Sequence, residues 1–129
     1  MDETTLSYAL QATAFFWGAA LGSFLNVVIY RLPRDLSLVS PGSRCSSCET
    51  PIKWYDNIPC LSYFLLGGKC RACKASYSSR YALIEFMCGL LALALFRTIV
   101  MPFGHVDLMV SLGTWIWWQV LVFGLVAIT

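Results

Sequence analysis

The sequence predicts an α-helical polytopic membrane protein with about three transmembrane helices and a cytoplasmic, zinc-ribbon-like loop between the first two. Three observations predict it. The chain is 58% hydrophobic and only 12% charged, outside the usual composition of water-soluble domains. Three stretches, about Leu6 to Tyr30, Tyr81 to Met101 and Val106 to Thr129, are apolar over the roughly 20 residues that a helix needs to cross a bilayer core. Eight of the nine Lys and Arg residues fall between residues 31 and 80, together with two Cys-x2-Cys pairs.

Residues 1–30 are expected to hold the first transmembrane helix. Asp2 and Glu3 stand where a cleaved leader would be basic, and the apolar run is long, so the segment reads as a retained anchor. Gly18 and Gly22, four apart, allow a neighbouring helix to come close. Residues 31–80 form the loop. Its eight basic residues outnumber Asp35, Glu49 and Asp56, a balance of +5. Positive residues in short loops resist translocation, which puts the loop in the cytoplasm and the N-terminus outside. Pro33, Pro41, Pro51 and Pro59 rule out one long helix there, and short strands and turns are expected. Residues 81–129 supply the second and third spans, joined by the outer turn "MPFGHVD". Arg97 snorkels toward the outer surface and His105 lies solvated in that turn.

Cys45, Cys48, Cys70 and Cys73 have the form C-x2-C, 21 residues, C-x2-C. Two residues between thiolates let one tight turn aim both sulfurs at a single ion, and two such turns complete a tetrahedral site. Disulfides are the competing reading, but the loop's charge places it in a reducing compartment. A redox pair would need only one motif on a thioredoxin-like unit, which is not visible. A structural zinc ion is therefore expected, without zinc chemistry, because four thiolates leave no position for water. The loop has few large apolar residues, so the ion would supply much of its folding free energy. Cys60 and Cys88 read as small packing residues.

Other marked residues have plainer readings. Gly67 and Gly68 in "GGK" permit a turn before the second pair. Glu85 lies one turn into the second span, where an ion pair with Arg80 or Arg31 is expected. The basic loop suits anionic lipid headgroups. Trp54, Tyr55, Tyr63 and Phe64 resemble a base-stacking platform, but beside a membrane they cover the loop or touch the interface, and no nucleic-acid partner is expected.

"GSFLNVVIYRLPR", "WYDNIPCLSYFLLGGKCRAC" and "SSRYALIE", in that order between Gly22 and Glu85, resemble the N-terminal half of type IV prepilin peptidases. The resemblance implies a bacterial inner-membrane enzyme that cleaves the leaders of prepilins and type II secretion pseudopilins at the cytoplasmic face. It further implies N-methylation of the new terminus from S-adenosylmethionine. The matching residues, of roles the resemblance leaves open, are Gly22, Ser23, Asn26, Arg31, Asp56, Asn57, Pro59, Gly68, Lys69, Arg80 and Glu85. Ser23 and Asn26 read either as helix packing or as a polar wall facing the substrate helix. Ala82 stands where the family usually has proline, and Asp56 where it often has glutamate.

The resemblance also implies an aspartic dyad on later helices, the second member in Gly-x-Gly-Asp, and the chain contains no such motif. Glu85 and Asp107 cannot replace it. About 22 helical residues at 1.5 Å each put them roughly 33 Å apart, whereas a dyad must share a proton. No glycine-rich cofactor fingerprint is present either. With the third span ending at "VFGLVAIT", the chain reads as an amino-terminal piece, or a half-protein that needs a C-terminal peptidase half, and is not expected to act as a peptidase alone. Two other classes compete: a non-enzymatic, membrane-anchored zinc-ribbon module scaffolding pilus or secretion machinery, and a thiol redox protein.

Overall fold

The computed structural model describes residues 2–101 and 112–121. Glu3–Arg31 form a single helix, α1, of 29 residues. No proline interrupts it before Pro33, and its apolar residues lie on all sides. At about 1.5 Å per residue it is about 44 Å long, more than a hydrocarbon core requires. Glu3 in its first turn and Arg31 in its last complement the helix dipole. A 3-10 turn at Leu32–Arg34 carries Pro33, and Asp35, left-handed at φ 52°, sends the chain away. The loop then contains a 3-10 turn, Trp54–Asn57, and a short helix, α2, Leu61–Leu65. Ser78 caps the next helix, α3, Ser79–Ile99, by accepting from the Arg80 amide at 3.3 Å.

α1 and α3 are both long and apolar enough to cross a membrane. They pack antiparallel: Asn26 lies beside Tyr81, Gly22 beside Glu85 and Cys88, Gly18 beside Cys88 and Ala92, and Gln11 beside Arg97. The close approach expected of Gly18 and Gly22 is realised. A Cβ at Gly22 would stand 2.9 Å from that of Cys88 and 3.0 Å from the Glu85 Cα. Large apolar side chains such as Phe16, Trp17, Leu83 and Met87 are exposed, as on a surface that meets lipid or protein rather than water.

Residues 112–121 are helical and continue the packing at the end remote from the loop. Trp115 joins Ala14, Ala92, Phe96 and Val100 in a buried cluster, edge-on to Phe96, and its indole N–H donates to the Ala92 carbonyl at 3.1 Å. The rest of the expected third span, and His105 and Asp107 of the outer turn, lie outside the described residues. The loop departs from expectation in one respect. Among the described residues it has no strands, only single antiparallel bridges at Arg44–Pro51 and Lys69–Ser76. Pro51 cannot donate to a ladder, and Ser78 already caps α3 two residues after Ser76.

Candidate metal centre and the contacts around it

The two cysteine pairs are built as copies of one knuckle. In the first, the Cys45 amide donates to Thr50 O, the Glu49 amide to Cys45 O and the Ile52 amide to Ser43 O, at 3.0, 2.9 and 2.8 Å. In the second, the Cys70 amide donates to Ala75 O, the Lys74 amide to Cys70 O and the Tyr77 amide to Gly68 O, at 2.8, 3.0 and 2.7 Å. Counted from the first cysteine the offsets are identical. So is the left-handed residue four positions on, Glu49 at φ 57° and Lys74 at φ 61°. Neither is glycine, and such a conformation in an L-residue persists only where its surroundings fix it. The repeat is invisible in the sequence beyond the cysteines, because backbone hydrogen bonds carry it.

These turns gather four sulfurs. Cys45 Sγ lies 3.7 Å from Cys73 Sγ and Cys48 Sγ 4.0 Å from Cys70 Sγ. All four lie within 4.8 Å of one another. A tetrahedral ion with metal–sulfur bonds of about 2.3 Å sets its sulfurs about 3.8 Å apart. The donor set and spacing thus fit a metal such as zinc, and none of the four cysteines forms a disulfide. The amide of Ser47 points at Cys45 Sγ, 3.4 Å away. Amides of Ser47 and Cys48 pull the Cys45 thiol down. The Cys73 and Ala72 amides with the Tyr77 hydroxyl bring Cys70 to about 6. The Ala75 amide opposes the change at Cys73, but desolvation and the three neighbouring sulfurs push it up to about 11. A dication held by the four sulfurs would deprotonate them together.

Arg71, inside the second pair, makes the ion pair that sequence reasoning missed. Its Nε and a terminal nitrogen donate to the two Asp56 carboxylate oxygens at 2.8 and 2.6 Å, with the Tyr55 ring 5.8 Å from the guanidinium. This fork ties the Trp54–Asn57 turn to the knuckle, and a shorter acid at 56 still reaches. The hydrogen bonds from Arg71 hold the Asp56 carboxyl below the usual carboxylate range. Because the folded pKa is the lower one, the contribution is complete above the unfolded value of about 3.9 and is lost as pH falls through the folded value. The melting-temperature difference between wild type and Asp56→Asn should therefore be constant above about pH 5 and shrink in more acid solution. Comparison with the variant cancels any acid loss of metal common to both.

Two contacts fix the loop on the helices, and a third joins the helices to each other. The Glu85 carboxylate accepts from the Cys60 amide at 2.7 Å. This corrects the expected pairing with Arg80 or Arg31; among the described residues Asp56–Arg71 is the ion pair within 4.0 Å. The physical reason is local: Cys60 is left-handed at φ 60° at the start of α2, so its N–H turns toward α3 instead of along the chain. Cys60 itself is buried, remote in role from the sulfur cluster, and burial with the Glu85 charge pushes its thiol up. Arg31 donates to the carbonyls of Ser37, Pro41 and Gly42 at 2.8, 2.7 and 3.4 Å, clasping the approach to the first knuckle. Asn26, 8% exposed, donates to Tyr81 O at 3.2 Å, which is a packing role at the mouth of α3. Glu85→Gln should keep most of the stability, while Glu85→Ala strands the buried amide and should cost about 2 kcal/mol, measured by thermal unfolding of the purified chain in detergent.

The remaining marked residues separate. Gly67 and Gly68, at φ 60° and 66°, close α2: their amides donate to Phe64 O and Tyr63 O at 3.2 and 2.8 Å. This is a Schellman end, so these amides serve the turn and not a ligand. A Cβ on Gly68 would stand 2.9 Å from the Tyr63 ring. Lys69 and Arg80 are exposed. Ser23, Arg31, Asn57 and Pro59 instead line one cavity of about 380 Å³ between α1 and the loop.

Two apolar antiparallel helices joined by a loop that gathers four sulfurs define the class: a membrane-type helical protein with an insert that could hold a metal ion. The family model described as "Bacterial Peptidase A24 N-terminal domain" matches residues 16–99, which include the second half of α1, both knuckles and α3, and the chain belongs to this family. It is 49% identical over 83 residues to the prepilin leader peptidase/N-methyltransferase of Myxococcus xanthus, covering 64% of this chain and 25% of that protein. It is 43% identical over 102 residues to the protein of the same name from Stutzerimonas stutzeri, covering 61% and 35%. The Aeromonas hydrophila protein of that name is 36% identical over 126 residues, covering 79% and 43%. The chain thus spans between a quarter and somewhat over two fifths of the length of these relatives. No solved structure matches it.

Proposed function

We propose that the chain is the zinc-stabilised N-terminal portion of a prepilin leader peptidase/N-methyltransferase of the bacterial inner membrane. The observation that supports this best is the gathering of Cys45, Cys48, Cys70 and Cys73 into one metal-sized cluster within the family's matched region. Residues 1–30 are a first span with its N-terminus outside, 31–80 a cytoplasmic zinc loop, and 81–129 a second and third span. The basic balance of the loop supports that orientation, and the two antiparallel apolar helices bring both ends of the loop to one side.

Zinc is structural on this reading. The four sulfurs close its coordination shell, and the ion, when bound, ties the two knuckles together without supplying a reactive water. The peptidase aspartates come from a C-terminal half. Prepilins or type II pseudopilins are the substrates, S-adenosylmethionine the methyl donor, and anionic lipid the surrounding partner of the basic loop. Arg31 and Glu85 serve by holding the zinc loop on α1 and α3, Asn26 by joining the two helices, and Asp56 by bracing the loop internally through Arg71, so that a substrate chain meets a fixed surface. Co-expression of the chain with a half carrying the aspartate pair, followed by assays of prepilin cleavage and N-methylation, tests the reading. Activity of the combined halves is expected, and their inactivity overturns it.

A further inference from the structure

The cavity between α1 and the loop has a particular chemistry. Phe24, Val27 and Val39 give it apolar walls, and Ser23 and Asn57 give it neutral polar groups. Neither the Ser23 hydroxyl nor the Asn57 amide has a hydrogen-bond partner among the described residues. Arg31 also lines it, but two of its nitrogens are already engaged by three backbone carbonyls. No carboxylate lines it.

Each feature narrows the occupant. A phosphate headgroup is best held by a fork from guanidinium nitrogens, and both terminal nitrogens of Arg31 are already drawn to loop carbonyls. A basic peptide meets a guanidinium with no acid to offset it. A neutral peptide in extended form fits better. Its backbone N–H and C=O match the donor and acceptor of an Asn amide, and small or apolar side chains match Phe24, Val27 and Val39. The cavity lies at the loop end of α1, on the boundary where an apolar peptide segment would leave the bilayer.

We propose that this cavity seats an uncharged, extended stretch of the substrate polypeptide, with Asn57 and Ser23 reading its backbone and Arg31 turning basic residues away. The proposal rests on the leader-peptidase reading above. It assigns a shared task to Ser23, Arg31, Asn57 and Pro59, which are far apart in sequence, and it explains how a loop of balance +5 can serve a peptide substrate without attracting it by bulk charge.

The test uses the full chain in detergent and a fluorescein-labelled peptide of glycine, serine, leucine and phenylalanine, with a second peptide carrying lysines at alternate positions. Anisotropy should report saturable binding of the neutral peptide and weaker binding of the lysine peptide. Asn57→Ala should weaken the first about fivefold, the loss expected of one neutral hydrogen bond. Val27→Trp, which fills the cavity, should abolish it. Metal content and helical circular dichroism should be those of wild type in both variants. Unchanged peptide affinity in Asn57→Ala and Val27→Trp overturns the proposal, as does phosphatidylglycerol binding that Val27→Trp blocks while the peptide fails to bind. The two readings fail separately. Neutral-peptide binding that Val27→Trp blocks, in a chain whose combined halves do not process prepilin, keeps the cavity and removes the function. Combined halves that process prepilin with the same KM in wild type, Asn57→Ala and Val27→Trp keep the function and remove the cavity.

Discussion

Cys70→Ser is expected to release the bound metal, about one ion per chain by elemental analysis, and to open residues 43–77 to hydrogen exchange while α1 and α3 stay protected. The reason lies in how little else holds that segment. Of its larger apolar residues Trp54, Leu61, Phe64 and Leu65 are exposed, and its two bridges are single. The buried groups of the segment are Cys45, Cys70, Cys60, Ser62 and Gly68, none of them large. Without an apolar core, the left-handed Glu49 and Lys74 lose what fixes them, and each knuckle then relaxes. A chelator should act like the substitution and zinc should reverse it. Persistent protection of the knuckles in metal-free protein would show that Asp56–Arg71 and the backbone bonds suffice on their own.

Some of this was legible in the residues and some was not. The cysteine spacing alone placed four ligands together, since two residues between thiols leave a turn few geometries. Hydropathy located α1 and α3 to within three residues at their ends, because a membrane-length apolar run has one economical fold. The partner of Glu85 was not legible. A charge at a span's edge suggests another charge, but Cys60 adopts a left-handed backbone that no composition signals, and its amide takes the place an arginine was expected to fill. Arg31 was likewise read as a charge and serves as a clasp for three carbonyls. In both cases the missing information is where a loop's backbone groups point, which depends on tertiary closure. Asp56–Arg71 was within reach of inference, as an acid of the first turn and a base inside a knuckle, had the fold of the loop been known.

Gly18→Leu should cause the largest loss of helix packing. A Cβ at Gly18 would overlap the Ala92 methyl and stand 2.6 Å from the Cys88 carbonyl oxygen. Ala92 is fully buried, so the neighbour cannot swing aside, and one contact is backbone. The helices must therefore separate, at a cost of about 3 kcal/mol, the upper part of the usual overpacking range. Lipid offers no hydrophobic penalty that would hold them together, because association in a bilayer depends on close contact itself. Gly18→Ala should destabilise less, and Ala92→Gly should rescue it in part, since the methyl clash is removed while Cys88 O remains. Gly113→Ala, with nothing within 4 Å of its Cβ, should be nearly neutral. Denaturant titration in mild micelles measures the series. The same displacement would draw Tyr81 from Asn26 and Glu85 from Cys60, so Gly18→Leu should also loosen the knuckles against the helices even with metal bound, which hydrogen exchange at the Cys60 amide reads directly. Cys60 protection equal to wild type in a chain whose helices have parted would mean that the loop is positioned by its own contacts and not by the α1–α3 pair.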